Sequence, residues 1–436
     1  MNRYLFLIVI ITLFVSCSSN TEEVSEETNT PEPQTKPNIL LVIADDFGLD
    51  ACPGYSLGST KPNMPVLQGL MNSGLKFNNV WSSPTCSPTR AGILTGKYGF
   101  RTGITSPGSS LSTTETSIQS YLDSNTGSAY GHAVIGKWHL SSNNAHPNNM
   151  GVDYFAGSIS NVSSYTNWTL NVNGSTSNST EYMTSKLTDL AIDWIDDQTK
   201  PWFLWLAYTA PHSPFHLPPN NLHSQGSLPS DDASISANPM PYYFAALEAL
   251  DTEMGRLIDS MTQEEKDNTV IIFIGDNGTP NQVAQDYTNR RAKGTVYQGG
   301  VNVPMIVSGN GVTRANASED ALINTLDIFA TVADLAETGN AEINDSKSFK
   351  ELFSNTNATK KDYIFTEGDD GGNLDVTIRD DSHKYILFWD GSEAFYDLSN
   401  NPLESPNLLN ANQLPLSDAN SAIKDALTSE LQSITN

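Results

Sequence analysis

Pro37-Asn38-Ile39-Leu40-Leu41-Val42-Ile43-Ala44-Asp45-Asp46 is the stretch that decides the fold. Apolar side chains follow one another from Ile39 to Ala44 without a polar break, and two carboxylates then stop the run. In a half-exposed strand apolar and polar residues alternate, because successive side chains point to opposite faces. An unbroken apolar run instead suits a strand covered on both faces, as in a parallel sheet. The same phrase returns along the chain. His132-Ala133-Val134-Ile135 runs into Gly136-Lys137-Trp138-His139, and Phe203-Leu204-Trp205-Leu206-Ala207 leads to Ala210-Pro211-His212. Val270-Ile271-Ile272-Phe273-Ile274 runs into Gly275-Asp276-Asn277.

Between these runs, Tyr182 to Ile195, Tyr242 to Ile258 and Asn324 to Leu335 carry apolar residues at helical spacing. Strands alternating with helices predict an α/β fold whose large, mainly parallel central sheet is flanked by helices. Ligands of such sheets bind beyond the carboxyl ends of the strands, so one edge collects the chemistry. After about Asp345 the texture changes. Tyr363–Thr366, Val376–Arg379, Lys384–Phe388 and Ala394–Tyr396 are short, with turn residues between them. They predict a smaller C-terminal antiparallel-sheet subdomain, closed by a helix from about Asp418 to Ile434. The domain reading is a catalytic domain over 37–345 and this subdomain over 346–436, with a flexible region at Leu217 to Pro239.

The amino terminus reads as an address. Arg3 precedes an apolar run from Tyr4 to Val15, then Ser16-Cys17-Ser18-Ser19. A positive start, a short apolar stretch and small residues at a cysteine predict an export signal over 1–17. The pattern resembles a bacterial lipoprotein signal with Cys17 as the lipidation site, although Phe14 stands where Leu is usual. The Ser-, Thr-, Glu- and Pro-rich stretch 18–36 then forms a tether. The expectation is an exported protein held to a bacterial membrane by a lipid anchor, on the periplasmic or cell-surface side.

With a net charge of −26 over 436 residues, nucleic acid is excluded as a partner, since that binding needs a basic surface. An acidic exterior also repels small anions unless local Arg and Lys reverse the field. The three cysteines, Cys17, Cys52 and Cys86, make no disulfide scaffold.

Asp45-Asp46 and Asp276-Asn277 each close an apolar run, and oxygen-rich pairs of this kind suit a hard cation such as Ca²⁺. Taken singly, either pair is equally well read as turn and cap residues. Cys86-Ser87-Pro88-Thr89-Arg90-Ala91-Gly92-Ile93-Leu94-Thr95-Gly96 is more specific. Pro88 suits a first helical turn and Gly96 a helix stop, which places Cys86 at a helix amino terminus, where an anion is favoured.

This segment resembles the signature of type I sulfatases, in the alkaline-phosphatase superfamily. There a Cys, a Pro two residues on and an Arg four residues on direct oxidation of the Cys to formylglycine. The resemblance runs from about Asn38 to Leu409. It implies one calcium ion held by Asp45, Asp46, Asp276, Asn277 and the modified Cys86. It makes Arg90 the residue that holds the formylglycine hydrate and Lys137 and His139 the pair beside the nucleophile. His212 and Lys293 then belong to the sulfate and the leaving oxygen. The implied reaction is attack on sulfur by one hydroxyl of the hydrated aldehyde, with His139 as the base that later restores the aldehyde and His212 as the acid. The implied partners are a sulfated glycan or other sulfate ester and a formylglycine-generating enzyme. Gln298-Gly299-Gly300 and Asn302-Val303-Pro304 depart from the family's Glu-Gly-Gly and Arg-Val-Pro. Tyr165, Trp168 and Tyr287 are candidate sugar-stacking walls, Cys52 has no assigned role, and Glu367 to Gly372 reads as an exposed turn.

Two alternatives remain at this level. One is a phosphomonoester or phosphonate hydrolase on the same scaffold. The other is a non-catalytic glycan-binding lipoprotein, which the intact metal and nucleophile positions disfavour.

Overall fold

The computed structural model describes residues 36–287, 291–369 and 372–436. The export signal, Cys17 and all but the last residue of the tether lie outside the described residues.

Among the described residues, ten strands form one sheet in the order β10-β2-β9-β8-β1-β7-β3-β4-β5-β6. They are β1 (Asn38–Ala44), β2 (Leu75–Trp81), β3 (Gly131–Lys137), β4 (Tyr154–Ser158), β5 (Trp168–Val172), β6 (Ser175–Ser179), β7 (Trp202–Tyr208), β8 (Thr269–Gly275), β9 (Met305–Gly309) and β10 (Ala317–Asn324). The four apolar runs of the sequence are the adjacent strands β8, β1, β7 and β3, all mutually parallel, and β4 extends them in parallel. β9 runs antiparallel between β2 and β8, and the hairpin β5–β6 closes the far edge.

The unbroken run of β1 has the predicted cause. Leu40, Val42 and Ala44 enter one core, while Ile39, Leu41 and Ile43 enter another on the opposite face. Helices Met183–Asp196 and Met240–Ser260 cover the first face, through Leu187, Ala191, Leu247 and Leu250. Helices Cys86–Thr95, Ile118–Thr126 and Asp327–Leu335 cover the second, through Ile93, Leu122 and Phe329. The last of these begins three residues later than its pattern, because Asn324 completes β10. The stretch expected to be flexible holds a short helix at Asp232–Ala237, capped by the Asp231 carboxylate accepting from the Ser234 N–H.

A two-stranded ribbon, β11 (Glu342–Ile343) with β12 (Ser346–Lys347), precedes the C-terminal antiparallel sheet. That sheet is the four-stranded β13 (Ile364–Asp369), β14 (Leu374–Arg379), β15 (His383–Leu387) and β16 (Glu393–Asp397), covered by the helix Asp418–Thr435. Glu367 and Gly368 lie within β13 rather than in an exposed turn.

Candidate active site

Parallel register brings the strand ends together. Ala44 is level with Tyr208 on one side and Gly275 on the other, and Gly136 is level with Ala207. Asp45, Asp46, Asp276, Asn277, His212, Lys137 and His139 therefore leave the sheet along one edge. The strands end close together: at Gly136, with φ of 117°, a Cβ would stand 1.9 Å from the Ala207 carbonyl oxygen. Asp46 and His139 hold left-handed backbones, with φ of 69° and 58°. For residues other than glycine, such conformations cost on the order of 1–3 kcal/mol and persist where surroundings enforce them.

Above this edge stands the helix Cys86–Thr95. Thr85 precedes it in an extended conformation, and Gly96, at φ of 67°, ends it with its N–H donating to the Gly92 carbonyl at 2.8 Å. The helix is buried along its whole length. Cys86 opens it, and Arg90, one turn on, faces the same way. The Arg90 Nε and NH2 groups donate to Asp276 Oδ2 at 3.1 and 2.7 Å, and NH1 donates to the Lys137 carbonyl at 2.7 Å.

The charged groups interlock. Lys137 Nζ pairs with Asp45 Oδ2 and lies 3.5 Å from Cys86 Sγ. Lys293 Nζ pairs with Asp46 Oδ1, which also accepts from Asn277 Nδ2 at 2.8 Å. The Asp46 N–H donates to Asp276 Oδ1 at 3.0 Å. His139 Nδ1 stands 3.0 Å from Cys86 Sγ, and His212 Nε2 stands 3.9 Å from Asp46 Oδ2. Asp45, Arg90 and Lys137 are fully buried, whereas the side chains of His212 and Lys293 are 11% and 22% exposed, which marks the open side.

Burial alone would neutralise such a cluster, and opposite charge prevents it. Burial works against ionisation of Asp45, but Lys137, His212 and Arg90 outweigh it and hold the carboxyl well below its ordinary range. Burial also disfavours the charges of Arg90 and Lys137, and the facing carboxylates outweigh it in turn. Asp276 goes the other way, raised by burial and then by the charge of Asp45. Burial, with Lys137 and Arg90, pushes His139 down to about 3, so its imidazole is neutral at neutral pH. Burial likewise raises the Cys86 thiol.

Two buried acceptors in this cluster, Asp45 Oδ1 and Asn277 Oδ1, have no hydrogen-bond partner among the described residues. An unpartnered buried oxygen costs roughly 1–3 kcal/mol, so a pair at the end of two adjacent strands calls for a cation. Asp45, Asp46 and His212 also bring potential ligand atoms within 4.8 Å of one another. The oxygen-rich donor set fits a hard divalent ion. A second group, Asp123, His132 and Asp153, is closed by contrast. There His132 Nδ1 accepts the Asp153 N–H, which leaves the ring proton on Nε2, directed at Asp123 Oδ2 at 3.2 Å.

All the site residues singled out in the sequence meet here, with Lys293 and His212 on the open side. The aromatic expectation fails. Tyr165, Trp168 and Tyr287 are all buried, so none stands as a solvent-facing wall, although Trp168 reaches the base of a neighbouring groove. Tyr165 does something else: its hydroxyl lies 2.7 Å from the His212 carbonyl and 2.9 Å from that of Thr209, pinning the loop that carries His212. Ser87 Oγ holds the His139 carbonyl at 2.8 Å in a similar way. Sequence spacing carries no signal for either contact. The two departures from the family pattern are structural. Gln298 Oε1 accepts from Trp81 Nε1 at 2.9 Å, and Asn302 Oδ1 accepts from the Val80 N–H at 3.0 Å. The carboxylate beside Gln298 comes from Glu404, which accepts the Gln298 N–H at 2.9 Å. A larger cleft of about 790 Å³, lined by Tyr55, Lys76 and Arg379 among others, contains none of the predicted catalytic or metal residues.

Comparison with known proteins agrees with this geometry. The Sulfatase family profile matches residues 37–338, and the profile described as N-sulphoglucosamine sulphohydrolase, C-terminal, matches residues 290–435. The chain is 26% identical over 362 residues to the uncharacterized sulfatase YdeN of Escherichia coli (strain K12), an alignment covering 69% of this chain and 63% of that protein. The fold is similar to that of Ps i-CgsB in complex with k-i-k-neocarrahexaose, with a TM-score of 0.78, 24% identity and 92% of each chain covered. It is also similar to BT4656 in complex with D-glucosamine-2-N,6-O-disulfate, with a TM-score of 0.74, 18% identity, and 92% of this chain and 98% of that one covered. A signature helix, a shared strand edge and a profile spanning most of the chain lead to one conclusion: this protein belongs to the sulfatase family.

Proposed function

We propose that this protein hydrolyses sulfate monoesters, most of all on sulfated carbohydrates, at the edge formed by β8, β1, β7 and β3. The observation that carries the proposal is the position of Cys86. It opens a buried helix, with Lys137 Nζ and His139 Nδ1 on its sulfur and two unpartnered acceptors, Asp45 Oδ1 and Asn277 Oδ1, on the strand ends of the same cluster.

Asp45, Asp46, Asp276 and Asn277 would hold one calcium ion, together with the side chain at position 86. Bound there, calcium supplies Lewis-acid stabilisation of charge on oxygen, and formylglycine at position 86 supplies a nucleophilic hydroxyl. The chain's own residues do the rest. Three carboxylates face three cations, Arg90, Lys137 and Lys293. A divalent ion therefore makes the pocket net positive and draws in an anion that the −26 surface repels. Lys137 and Lys293 hold fixed charge where sulfuryl oxygens gain it. Neutral His139, in contact with position 86, is placed to take a proton there. His212 donates its Nδ1–H to the Ser213 carbonyl at 2.6 Å, so it is the doubly protonated, cationic ring that carries an Nε2–H to give to a leaving alcohol.

The ligands of the two solved neighbours named above support a carbohydrate substrate. Export and lipid anchoring through Cys17 belong to the same proposal; among the described residues no helix is long and apolar enough to cross a membrane. The test is mass spectrometry of the tryptic peptide Phe77 to Arg90 from the native host. The expected mass is that of an aldehyde in place of the thiol, and an unmodified thiol throughout would refute the mechanism.

A further inference from the structure

Beside the catalytic edge lies a groove of about 340 Å³, walled by Ser142, Asn144, Asn161 and Asn178 and floored by Ser158 and Trp168. It adjoins the reaction site through the backbone of two neighbouring strands. Ser158 is level with Lys137 on the neighbouring parallel strand, and the His139 N–H donates to the Ile159 carbonyl at 2.9 Å. Neighbouring strands lie about 4.8 Å apart, so the groove begins one strand away from Lys137.

Its chemistry differs from that of the charged edge beside it. None of its lining residues is charged, on a chain of net charge −26. Hydroxyls and amides dominate, over a floor that includes Ile159 and Trp168. The buried Ser158 Oγ has no hydrogen-bond partner among the described residues, and the side chains of Asn161 and Asn178 are exposed. Side-chain amides both donate and accept, which matches the hydroxyls of a sugar, while an apolar floor matches its C–H face. A sulfated unit would call for cations, and the groove has none.

We propose that this groove is a subsite for an uncharged, unsulfated sugar residue adjoining the sulfated one, so that the natural substrate is an oligosaccharide. The proposal rests on sulfate-ester hydrolysis at the neighbouring edge and names the substrate of that same site.

Asn178→Trp, on an exposed strand, fills the groove, and Asn161→Ala, in an exposed loop, removes one amide. The probes are 4-nitrophenyl sulfate, which reaches only the reaction site, and sulfated di- to hexasaccharides. For Asn178→Trp, kcat/KM on oligosaccharides should fall about tenfold or more while the aryl sulfate rate stays unchanged, with a smaller selective fall for Asn161→Ala. A retained aryl sulfate rate also reports an intact fold. Equal changes on both probes in both variants would overturn the subsite, and so would a wild-type enzyme that cleaves aryl sulfate but no oligosaccharide. If the mature wild type turns over no sulfate ester at all, the sulfatase reading itself falls.

Discussion

Two buried charge clusters in this molecule look alike until their oxygens are compared. At the join between the main sheet and the C-terminal sheet, Lys384 Nζ pairs with Glu404 Oε1 at 2.6 Å and also donates to the Val296 carbonyl. The other Glu404 oxygen accepts the Gln298 N–H. That cluster is closed. At the candidate site, Asp45 Oδ1 and Asn277 Oδ1 are buried without partners among the described residues, although cations surround them. The difference teaches how to separate a structural ion pair from a candidate site: one satisfies itself, and the other leaves acceptors open.

The largest test of this contrast is Cys86→Ala. Turnover of sulfate esters should fall by about a thousandfold or more while the thermal melting point barely moves, since a small buried side chain is replaced by a smaller one. Unchanged activity would remove the open cluster's claim to be catalytic. Next comes Asp276→Asn. Calcium should raise the melting temperature of the wild type, by about 2.7 kcal/mol of stability at a hundred times its dissociation constant, and should do little for the variant. An equal calcium response in both proteins would show that the acceptors do not share an ion.

The closed cluster should respond in stability instead. Lys384→Met strands the Glu404 carboxylate and should cost about 3–5 kcal/mol in denaturant unfolding, whereas Lys384→Met with Glu404→Leu should recover most of it. Glu367 sharpens the comparison from a third position. It accepts the Phe100 N–H at 3.0 Å through one oxygen, the other has no partner among the described residues, and burial pushes it up to about 7. The folded chain thus holds a proton that the unfolded chain has released above its ordinary 4.5. Stability from this group is present below about pH 4.5 and is lost as the pH rises through about 7. The loss is on the order of 3 kcal/mol. Glu367→Gln should flatten that part of the stability profile relative to wild type, and parallel profiles would reject the assignment. The smallest effect is expected from Tyr165→Phe, which loosens the His212 loop. It should lower kcat several-fold on esters with poor leaving groups and little on aryl sulfates, and an equal loss on both would make Tyr165 merely structural.

Legibility followed range. β1, β3, β7 and β8 were visible because burial on both faces writes a continuous apolar run, and the four strands of the C-terminal sheet because turn residues bracket them. β2, with the pattern Leu75-Lys76-Phe77-Asn78-Asn79-Val80-Trp81, and the polar β6 carry no such run, so the sequence pattern does not mark them. Among site residues, those that occupy a strand end or the signature helix were legible. Tyr165 and Ser87 were not, since each acts through a backbone carbonyl far away in the chain.

The sequence by itself determined which residues end the buried strands and which cysteine opens the helix, because both are local consequences of hydrophobic pattern and capping. Only the tertiary structure decided that Asp45 Oδ1 and Asn277 Oδ1 would be left without partners, that Tyr165 would turn inward, and that a neutral groove would lie beside the charged edge. Those outcomes depend on which strands become neighbours, and strand order is settled by long-range packing that no stretch of chain encodes alone.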